Sequence, residues 1–325
     1  MPVTQPIPKN ILGKTDFSVS RLGFGGAPVG FLETPQTQIT RVLDLLIERG
    51  VNFIDTAAAY KGSEEAIGHA LDGRRDDVVL LTKCGMGAEA NHFPDQDVAP
   101  YSPELVTASI DRSLKLLQTD HLDVILLHSC DLETLKQGDA MAALIAARDA
   151  GKTRFIGYSG DNDAAAWACE QPDIAVLETS VNLADQHNID AVLPVAQKHD
   201  VGVIAKRPLA NACWKDLDAQ RGMYQNYAKT YTQRFAAMGV SPGDLGYSGH
   251  VEVEWPEIAL KFTLAQAGVH TAICGTTSTN HADINLQAAS KNPLRDQVVA
   301  RLRDAFKQAE AAAVAQGGEP WLGQT

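Results

Sequence analysis

The chain has 325 residues, of which 28 are Lys or Arg and 40 are Asp or Glu, so its formal net charge is −12 with His counted as neutral. An acidic surface repels nucleic acid and anionic membranes, and we therefore expect neither as a partner. With 45% hydrophobic and 21% charged residues, the composition is that of a globular protein and excludes disordered and fibrous classes.

The sequence favours a cytoplasmic protein with reduced thiols. No apolar run approaches the roughly 18 residues that a transmembrane helix needs, and the opening MPVTQPIPKNILGKTD lacks the apolar core of a secretory signal. The five cysteines form no C-x-x-C pair, so we expect no zinc or redox motif and no bound metal.

Eight short apolar runs rich in Val, Ile and Leu predict buried parallel strands. In chain order they are RLGFGG, VNFIDT, DVVLLTK, LDVILLH, TRFIGYS, AVLETS, VGVIAK and TAICGT. Helical periodicity between the runs predicts eight helices, at about residues 37–49, 64–71, 102–118, 132–150, 162–169, 189–199, 257–267 and 279–289. The third predicted helix has clear start signals, with Ser102 as a cap and Pro103 at the first helical position.

Eight strand-and-helix units over about 270 residues predict an α/β fold of the (β/α)8 TIM barrel type. A doubly wound sheet is the alternative, but the glycine cluster GFGGAPVG breaks the G-x-G-x-x-G spacing at Pro28. We expect a single domain over residues 1–325. It would include an N-terminal hairpin within residues 1–19, a long loop at 211–255 after the seventh strand, and an added helix with a mobile tail at 293–325. The 211–255 segment is either a substrate lid or an amphipathic helix packed on the barrel.

Ionisable residues dominate the positions directly after the predicted strands, where a barrel of this kind carries its active site. Asp55, Lys83 and His128 follow three neighbouring strands, and Tyr60 follows Asp55 by five residues. A nearby Lys favours a phenolate and would make Tyr60 a stronger acid. From the residues alone, Asp55 and Lys83 could also form a purely structural ion pair. Asp161, with Asn162 and Asp163, is expected to cap the next helix.

The stretch NFIDTAAAYKGSEEAIGHAL, with LLTK, LDVILLH and FIGYS downstream and LGKTDFSVSRLGFGGAPVG near the start, resembles the aldo-keto reductase superfamily over nearly the whole chain. The resemblance implies a (β/α)8 barrel that binds an extended nicotinamide cofactor and reduces an aldehyde or ketone to an alcohol. It implies that Tyr60 is the general acid, that Lys83 paired with Asp55 lowers the pKa of Tyr60, and that His128 orients the carbonyl. Such donors stabilise the negative charge that hydride addition builds on oxygen.

The resemblance also implies a set of cofactor-binding residues, and family habit favours NADP(H) over NAD(H). The set is Ser159, Glu178, Lys206, Arg207, Pro208, Leu209, Gly275, Thr276, Thr277, Ser278, His281 and Asn285. Three residues depart from the family pattern at the nicotinamide end: Gly160 stands where Asn is common, Glu178 where Gln is usual, and Lys206 where an aromatic residue stacks. At the adenosine end, His281 occupies a common Arg position and Gly275 a common Lys position.

Two other functions stay open at this point. One is a non-catalytic subunit that senses the cofactor, since barrels of this family resemble auxiliary subunits of some potassium channels. The other is a lyase or isomerase barrel that uses Lys83 as a Schiff-base nucleophile. The expected partner is a small carbonyl compound, and the sequence makes no prediction of the oligomeric state.

Overall fold

A computed structural model describes residues 6–32, 34–87, 98–220 and 224–324. An antiparallel hairpin of β1 (Lys9–Ile11) and β2 (Ser18–Ser20) precedes a closed barrel of eight parallel strands. The barrel strands, in chain order around the barrel, are β3 (Leu22–Gly25), β4 (Phe53–Asp55), β5 (Val79–Cys84), β6 (Leu122–His128), β7 (Thr153–Ser159), β8 (Ile174–Ser180), β9 (Gly202–Lys206) and β10 (Val269–Cys274). Because β10 pairs with β3, the sheet has no free edge, and the predicted (β/α)8 barrel is confirmed.

The helices surround the barrel and bury their apolar faces against it. They are α1 (Ala27–Phe31), α2 (Gln36–Glu48), α3 (Ser63–Ala70), α4 (Pro103–Leu116), α5 (Leu132–Gln137), α6 (Asp139–Asp149), α7 (Asn162–Cys169), α8 (His187–Ala191), α9 (Leu193–Lys198), α10 (Tyr224–Met238), α11 (Val251–Leu264), α12 (Thr279–Ser290) and α13 (Asp296–Ala315). Ser102 caps α4 through a bond from the Leu105 amide, as predicted.

Two segments predicted as single helices are each broken into a pair. Residues 132–150 form α5 and α6, which meet at Gly138 with a φ of +85° that only glycine adopts without strain. Residues 189–199 divide between α8 and α9, and Pro194 lies in the first turn of α9, where its missing N–H breaks no helical hydrogen bond.

The hairpin closes the amino-terminal end of the barrel. Leu12, Phe17 and Val19 are buried and pack against interior residues that include Phe53 and Val79, the first residues of their strands. With this end filled by apolar side chains, the polar chemistry is confined to the carboxyl-terminal end.

The insertion after β9 and the C-terminal segment pack together on one side of the barrel. Helix α10 lies within the insertion and contacts α13. Residues 322–324 of the predicted tail make hydrogen bonds to Arg234 on α10, to Asn162 at the start of α7 and to Asp185 in the loop after β8. Trp321 also packs its ring edge-on against Phe306.

All five cysteines are free thiols and buried. They lie on separate elements and pack among apolar side chains, and burial raises the pKa of each thiol. Within the described ranges, no helix is both long and apolar enough to cross a membrane.

Candidate active site

The barrel brings the predicted polar residues to one end. Asp55 is the last residue of β4, His128 of β6 and Ser159 of β7, while Lys83 and Glu178 lie one and two residues before the ends of β5 and β8. Neighbouring parallel strands end at the same face, so five strands contribute to one cluster.

Lys83 lies at the centre of this cluster and is fully buried. Its ammonium contacts the Asp55 carboxylate, donates to the Thr56 carbonyl at 3.1 Å, and lies 3.1 Å from Glu178 Oε2. One buried cation therefore faces two buried carboxylates.

The two carboxylates oppose each other electrostatically. Burial raises the pKa of Asp55 well above its usual value, and the nearby charge of Glu178 raises it further, while Lys83 acts in the opposite direction. For Lys83, burial alone would lower the pKa, but Asp55 and Glu178 raise it above its usual range. Lys83 is therefore held firmly as an ammonium ion.

Tyr60 is half-buried on the loop between β4 and α3 and stands next to this cluster. Its amide donates to the Ala57 carbonyl at 2.9 Å, which folds the loop over the barrel end. Its ring packs edge-on against Phe31, with centroids 5.2 Å apart, and against His128, with centroids 5.8 Å apart. The Lys83 ammonium lies 5.4 Å from the ring centroid.

The Tyr60 phenol is strongly held in its protonated form. Burial raises its pKa, Lys83 lowers it, and the negative charges of Asp55 and Glu178 raise it again. The expected lowering of the Tyr60 pKa by Lys83 is thus present, but burial of the phenol outweighs it, and the charges of Asp55 and Glu178 add to the effect of burial.

His128 is held in the neutral form. Burial lowers its pKa well below the usual value, and the cations Lys83, Lys206 and Arg207 lower it further. The hydroxyl of Tyr101 donates to the His128 carbonyl at 2.8 Å and fixes the end of β6. Among the described residues, the buried Nδ1 of His128 has no hydrogen-bond partner, so the ring retains an open polar atom.

A second polar group lies beside the cluster, at the ends of β7, β8 and β9. Lys206 forms an ion pair with Asp161 at 3.2 Å, and Arg207 donates to Ser180 Oγ at 3.1 Å. Burial lowers the pKa of Lys206, and the neighbouring Arg207 adds to that effect. Arg207 has a φ of +55°, an unusual backbone conformation for a residue with a side chain.

Asp161 does not cap a helix as predicted. It occupies the position before α7, yet its side chain makes no capping hydrogen bond. Its carboxylate instead accepts bonds from Thr179 Oγ1 and the Ser180 amide, at 2.8 and 2.7 Å, and from Asn188. Burial would raise the pKa of Asp161, but Lys206 and these donors hold it below the usual value.

Gly160 has a steric reason to be glycine. A Cβ at this position would lie 2.2 Å from the hydroxyl oxygen of Tyr158, whose ring fills the space beside it. That hydroxyl donates to the Cys130 carbonyl, so the ring cannot easily move. A residue larger than glycine therefore does not fit at position 160.

The remaining predicted cofactor residues lie at the end of β10 and the start of α12. Ser278 caps α12 by accepting a bond from the His281 amide. His281 is exposed on the first turn, whereas Asn285 is buried one turn later. Gly275 packs so closely on Pro28 that a Cβ would lie 2.7 Å from the proline ring.

Two other predicted cofactor residues serve local packing. The Pro208 carbonyl lies 3.4 Å from the hydroxyl of Thr263 on α11, and Leu209 packs on the apolar core. Thr276 and Thr277 form the turn into α12, where Gln38 donates to the Thr277 carbonyl. Their hydrogen bonds and packing contacts lie away from Lys83 and Tyr60, so they form a separate part of the same barrel end.

Sequence reasoning missed three polar residues beside Arg207. Ser180 lies at the end of β8, Asp185 in the following loop, and Tyr231 on α10, whose hydroxyl donates to Asp185 at 2.8 Å. Burial and the neighbouring charge of Asp161 raise the pKa of Asp185 to about 6. The sequence signal that could have identified Asp185 is its position as the one ionisable residue in the stretch VNLADQ.

The fold and the sequence together define the class of this protein. The chain belongs to the aldo/keto reductase family, whose model matches residues 21–307. This is a family of oxidoreductases that use nicotinamide cofactors.

Individual relatives resemble nearly the full chain. The chain is 28% identical to the oxidoreductase YqkF of Bacillus subtilis (strain 168), over 92% of this chain and 97% of that protein. It is also 28% identical to L-galactose dehydrogenase of Arabidopsis thaliana, over 86% of this chain and 87% of that protein. Among solved structures, the holo form of aldo-keto reductase AKR11C1 from Bacillus halodurans matches with a TM-score of 0.74 and 26% identity, over 92% of this chain and 96% of that one.

Proposed function

We propose that the protein reduces an aldehyde or ketone to an alcohol with a nicotinamide dinucleotide, NADP(H) in preference to NAD(H). The observation that carries this proposal is the juxtaposition of Tyr60, Lys83 and His128 at the open end of a family barrel. When bound, the dinucleotide supplies the hydride. The protein supplies the proton and the groups that stabilise negative charge on the carbonyl oxygen.

Tyr60 is the proton donor in this proposal. Its raised pKa keeps the phenol protonated before the reaction, so the proton is present when the carbonyl oxygen gains negative charge. Lys83 contributes positive charge beside the phenolate that forms, and Asp55 holds Lys83 in place. His128, neutral and with an unpartnered ring nitrogen among the described residues, is suited to hydrogen-bond the substrate oxygen.

The environment of Lys83 favours this role over that of a Schiff-base nucleophile. Attack on a carbonyl needs a neutral amine, which requires a lowered pKa. Asp55 and Glu178 instead raise the pKa of Lys83 and occupy its ammonium group.

The residues at the adenosine end suit the cofactor's phosphate groups. The first turn of α12 presents backbone N–H groups, which bind anions at a helix N-terminus. Close packing of Gly275 on Pro28 leaves backbone rather than side chain at the end of β10. His281 and Arg207 are the proposed contacts to a 2′-phosphate, and Ser159 and Glu178 to the carboxamide.

Changing Tyr60 to Phe tests the proposal directly. We expect the variant to lose about 10²- to 10⁴-fold in the rate of carbonyl reduction, the usual contribution of a positioned general acid. Its affinity for NADPH, measured by fluorescence titration, should stay near that of the unaltered protein. Tyr247→Phe, in the insertion after β9, is the matched control and should change neither quantity.

The other outcomes are equally informative. Comparable turnover in Tyr60→Phe would refute the role of Tyr60. Dinucleotide binding without turnover of any aldehyde or ketone, in the unaltered protein, would favour a cofactor-sensing subunit.

A further inference from the structure

The last described residues of the chain lie on the carboxyl-terminal face of the barrel, beside Arg207. The Gln324 carbonyl accepts a hydrogen bond from Arg207 Nη1, and Ser180 Oγ lies 3.3 Å from the same oxygen. The Gln324 amide donates to Asp185 Oδ2 at 3.0 Å. The same nitrogen of Arg207 that donates to Ser180 therefore also donates to a backbone carbonyl of the C-terminal segment.

We call residues 320–324 the strap, because they are held at several points. Gly323 and the side-chain amide of Asn162 exchange two bonds, of 2.7 Å to Asn162 Oδ1 and 3.1 Å from Asn162 Nδ2. Arg234 donates to the Leu322 carbonyl at 2.9 Å. The Trp321 amide donates to Glu310 on α13 at 2.8 Å.

The space around Gly323 is too small for any residue with a side chain. A Cβ there would lie 2.8 Å from both Asn188 Nδ2 and the Asp161 Cβ, and 3.0 Å from Asn162 Oδ1. These neighbours are fixed by the buried hydrogen bonds of the Asp161 carboxylate. The backbone of the strap therefore approaches the barrel as closely as a peptide can.

The partner that Arg207 has in the strap is weaker than an anion. The guanidinium is half-buried, stacks 5.1 Å from the Tyr227 ring centroid, and keeps its charge, since its pKa is raised even though burial acts to lower it. A guanidinium binds a phosphate oxygen more strongly than a neutral carbonyl oxygen, because both partners are then charged. An anionic ligand can thus compete with Gln324 for this group.

We infer that the strap and the dinucleotide compete for Arg207, so that residues 320–324 leave this face of the barrel when a phosphate of the cofactor binds there. This inference rests on the proposed function, because it takes Arg207 as a cofactor-binding residue. The strap then sets how tightly the cofactor binds. If the strap is seated 90 to 99% of the time, apparent affinity is reduced about 10- to 100-fold.

Two variants release the strap from different ends. Gly323→Val places a branched side chain in the space around this glycine, and Trp321→Ala removes the ring that packs on Phe306. Glu319→Val is the matched control, since it adds the same side chain at an exposed position outside the strap. We expect both strap variants, but not the control, to bind NADPH at least tenfold more tightly in a fluorescence titration.

Hydrogen exchange in the unaltered protein gives an independent readout. The amides of Trp321, Gly323 and Gln324 donate hydrogen bonds and should be protected. Saturating NADPH should accelerate exchange at Gly323 and Gln324 if the cofactor displaces the strap.

Two results would overturn the inference, and they can be told apart. Unchanged NADPH affinity in both strap variants, or increased protection of Gly323 and Gln324 with NADPH, overturns the competition while the proposed function stands. Failure of the unaltered protein and of both strap variants to bind either dinucleotide overturns the proposed function and the competition together.

Discussion

Changing Glu178 to Gln is expected to shift the pH dependence of reduction to lower pH. The carboxylate of Glu178 lies 3.1 Å from the Lys83 ammonium and raises the pKa of both Asp55 and Tyr60. Glutamine keeps the size and one oxygen but removes the negative charge. Lys83 would then face Asp55 alone, and more of its positive charge would act on Tyr60.

The size of the shift follows from the geometry. Lys83 Nζ lies 3.1 Å from Glu178 Oε2 and 5.4 Å from the Tyr60 ring centroid, so Glu178 Oε2 is no more than about 8.5 Å from that centroid. At an effective dielectric constant of about 20, two unit charges at this distance interact by about 2 kcal/mol. Since 1.36 kcal/mol corresponds to one pKa unit, and solvent reaches the half-buried Tyr60, we expect the pKa to fall by about one unit.

The assay is the rate of aldehyde reduction at saturating NADPH, measured as the pH is raised from 6 through the basic limb of the profile, which lies above the ordinary pKa of tyrosine because the pKa of Tyr60 is raised. In the proposed mechanism, loss of the Tyr60 proton limits the rate at high pH, so the basic limb should move down by about one unit in Glu178→Gln. Glu64→Gln is the control. Glu64 is also buried, but it lies on α3, outside the barrel, and accepts a hydrogen bond from the hydroxyl of Thr82 on β5. A basic limb that stays in place or moves to higher pH in Glu178→Gln would refute the electrostatic coupling.

Two further predictions concern the same cluster. Lys83→Met should cost about 3–5 kcal/mol of unfolding free energy at pH 8, because it leaves Asp55 and Glu178 buried without a cation. The pKa of Asp55, which burial already raises, would then lie above that in the unfolded chain, so the cost should shrink as the pH falls towards 5; equal losses in urea unfolding at both pH values would contradict this. His128 should stay neutral from pH 8 down to pH 5.5, since its pKa is lowered well below the usual value. If an NMR titration of the His128 ring protons gave a midpoint near 6.5, the predicted lowering of its pKa would be contradicted.

The barrel could be predicted from the sequence because its strands are buried on both faces. Such strands become continuous apolar runs, as in LDVILLH and TRFIGYS, and their number fixes the closed sheet. The polar residue at the end of each run locates the cluster, which is why Asp55, Lys83 and His128 could be chosen before the fold was known.

Contacts between distant segments could not be predicted in this way. No local pattern links Gln324 to Arg207, or Gly323 to Asn162, since these pairs lie more than a hundred residues apart. The misassignment of Asp161 has the same origin. Its position before a helix suggests a cap, but the donors of β8 and the ammonium of Lys206 reach it only in the folded barrel.

The burial of every thiol has a chemical consequence for a protein that would handle aldehydes and ketones. Electrophiles and peroxides attack the thiolate form of cysteine at positions that solvent can reach. Here Cys84, Cys130, Cys169, Cys213 and Cys274 are all buried, and their pKa values are raised. Reactive carbonyl compounds would therefore meet no ready nucleophile among these thiols, and the folded protein should resist covalent inactivation during turnover.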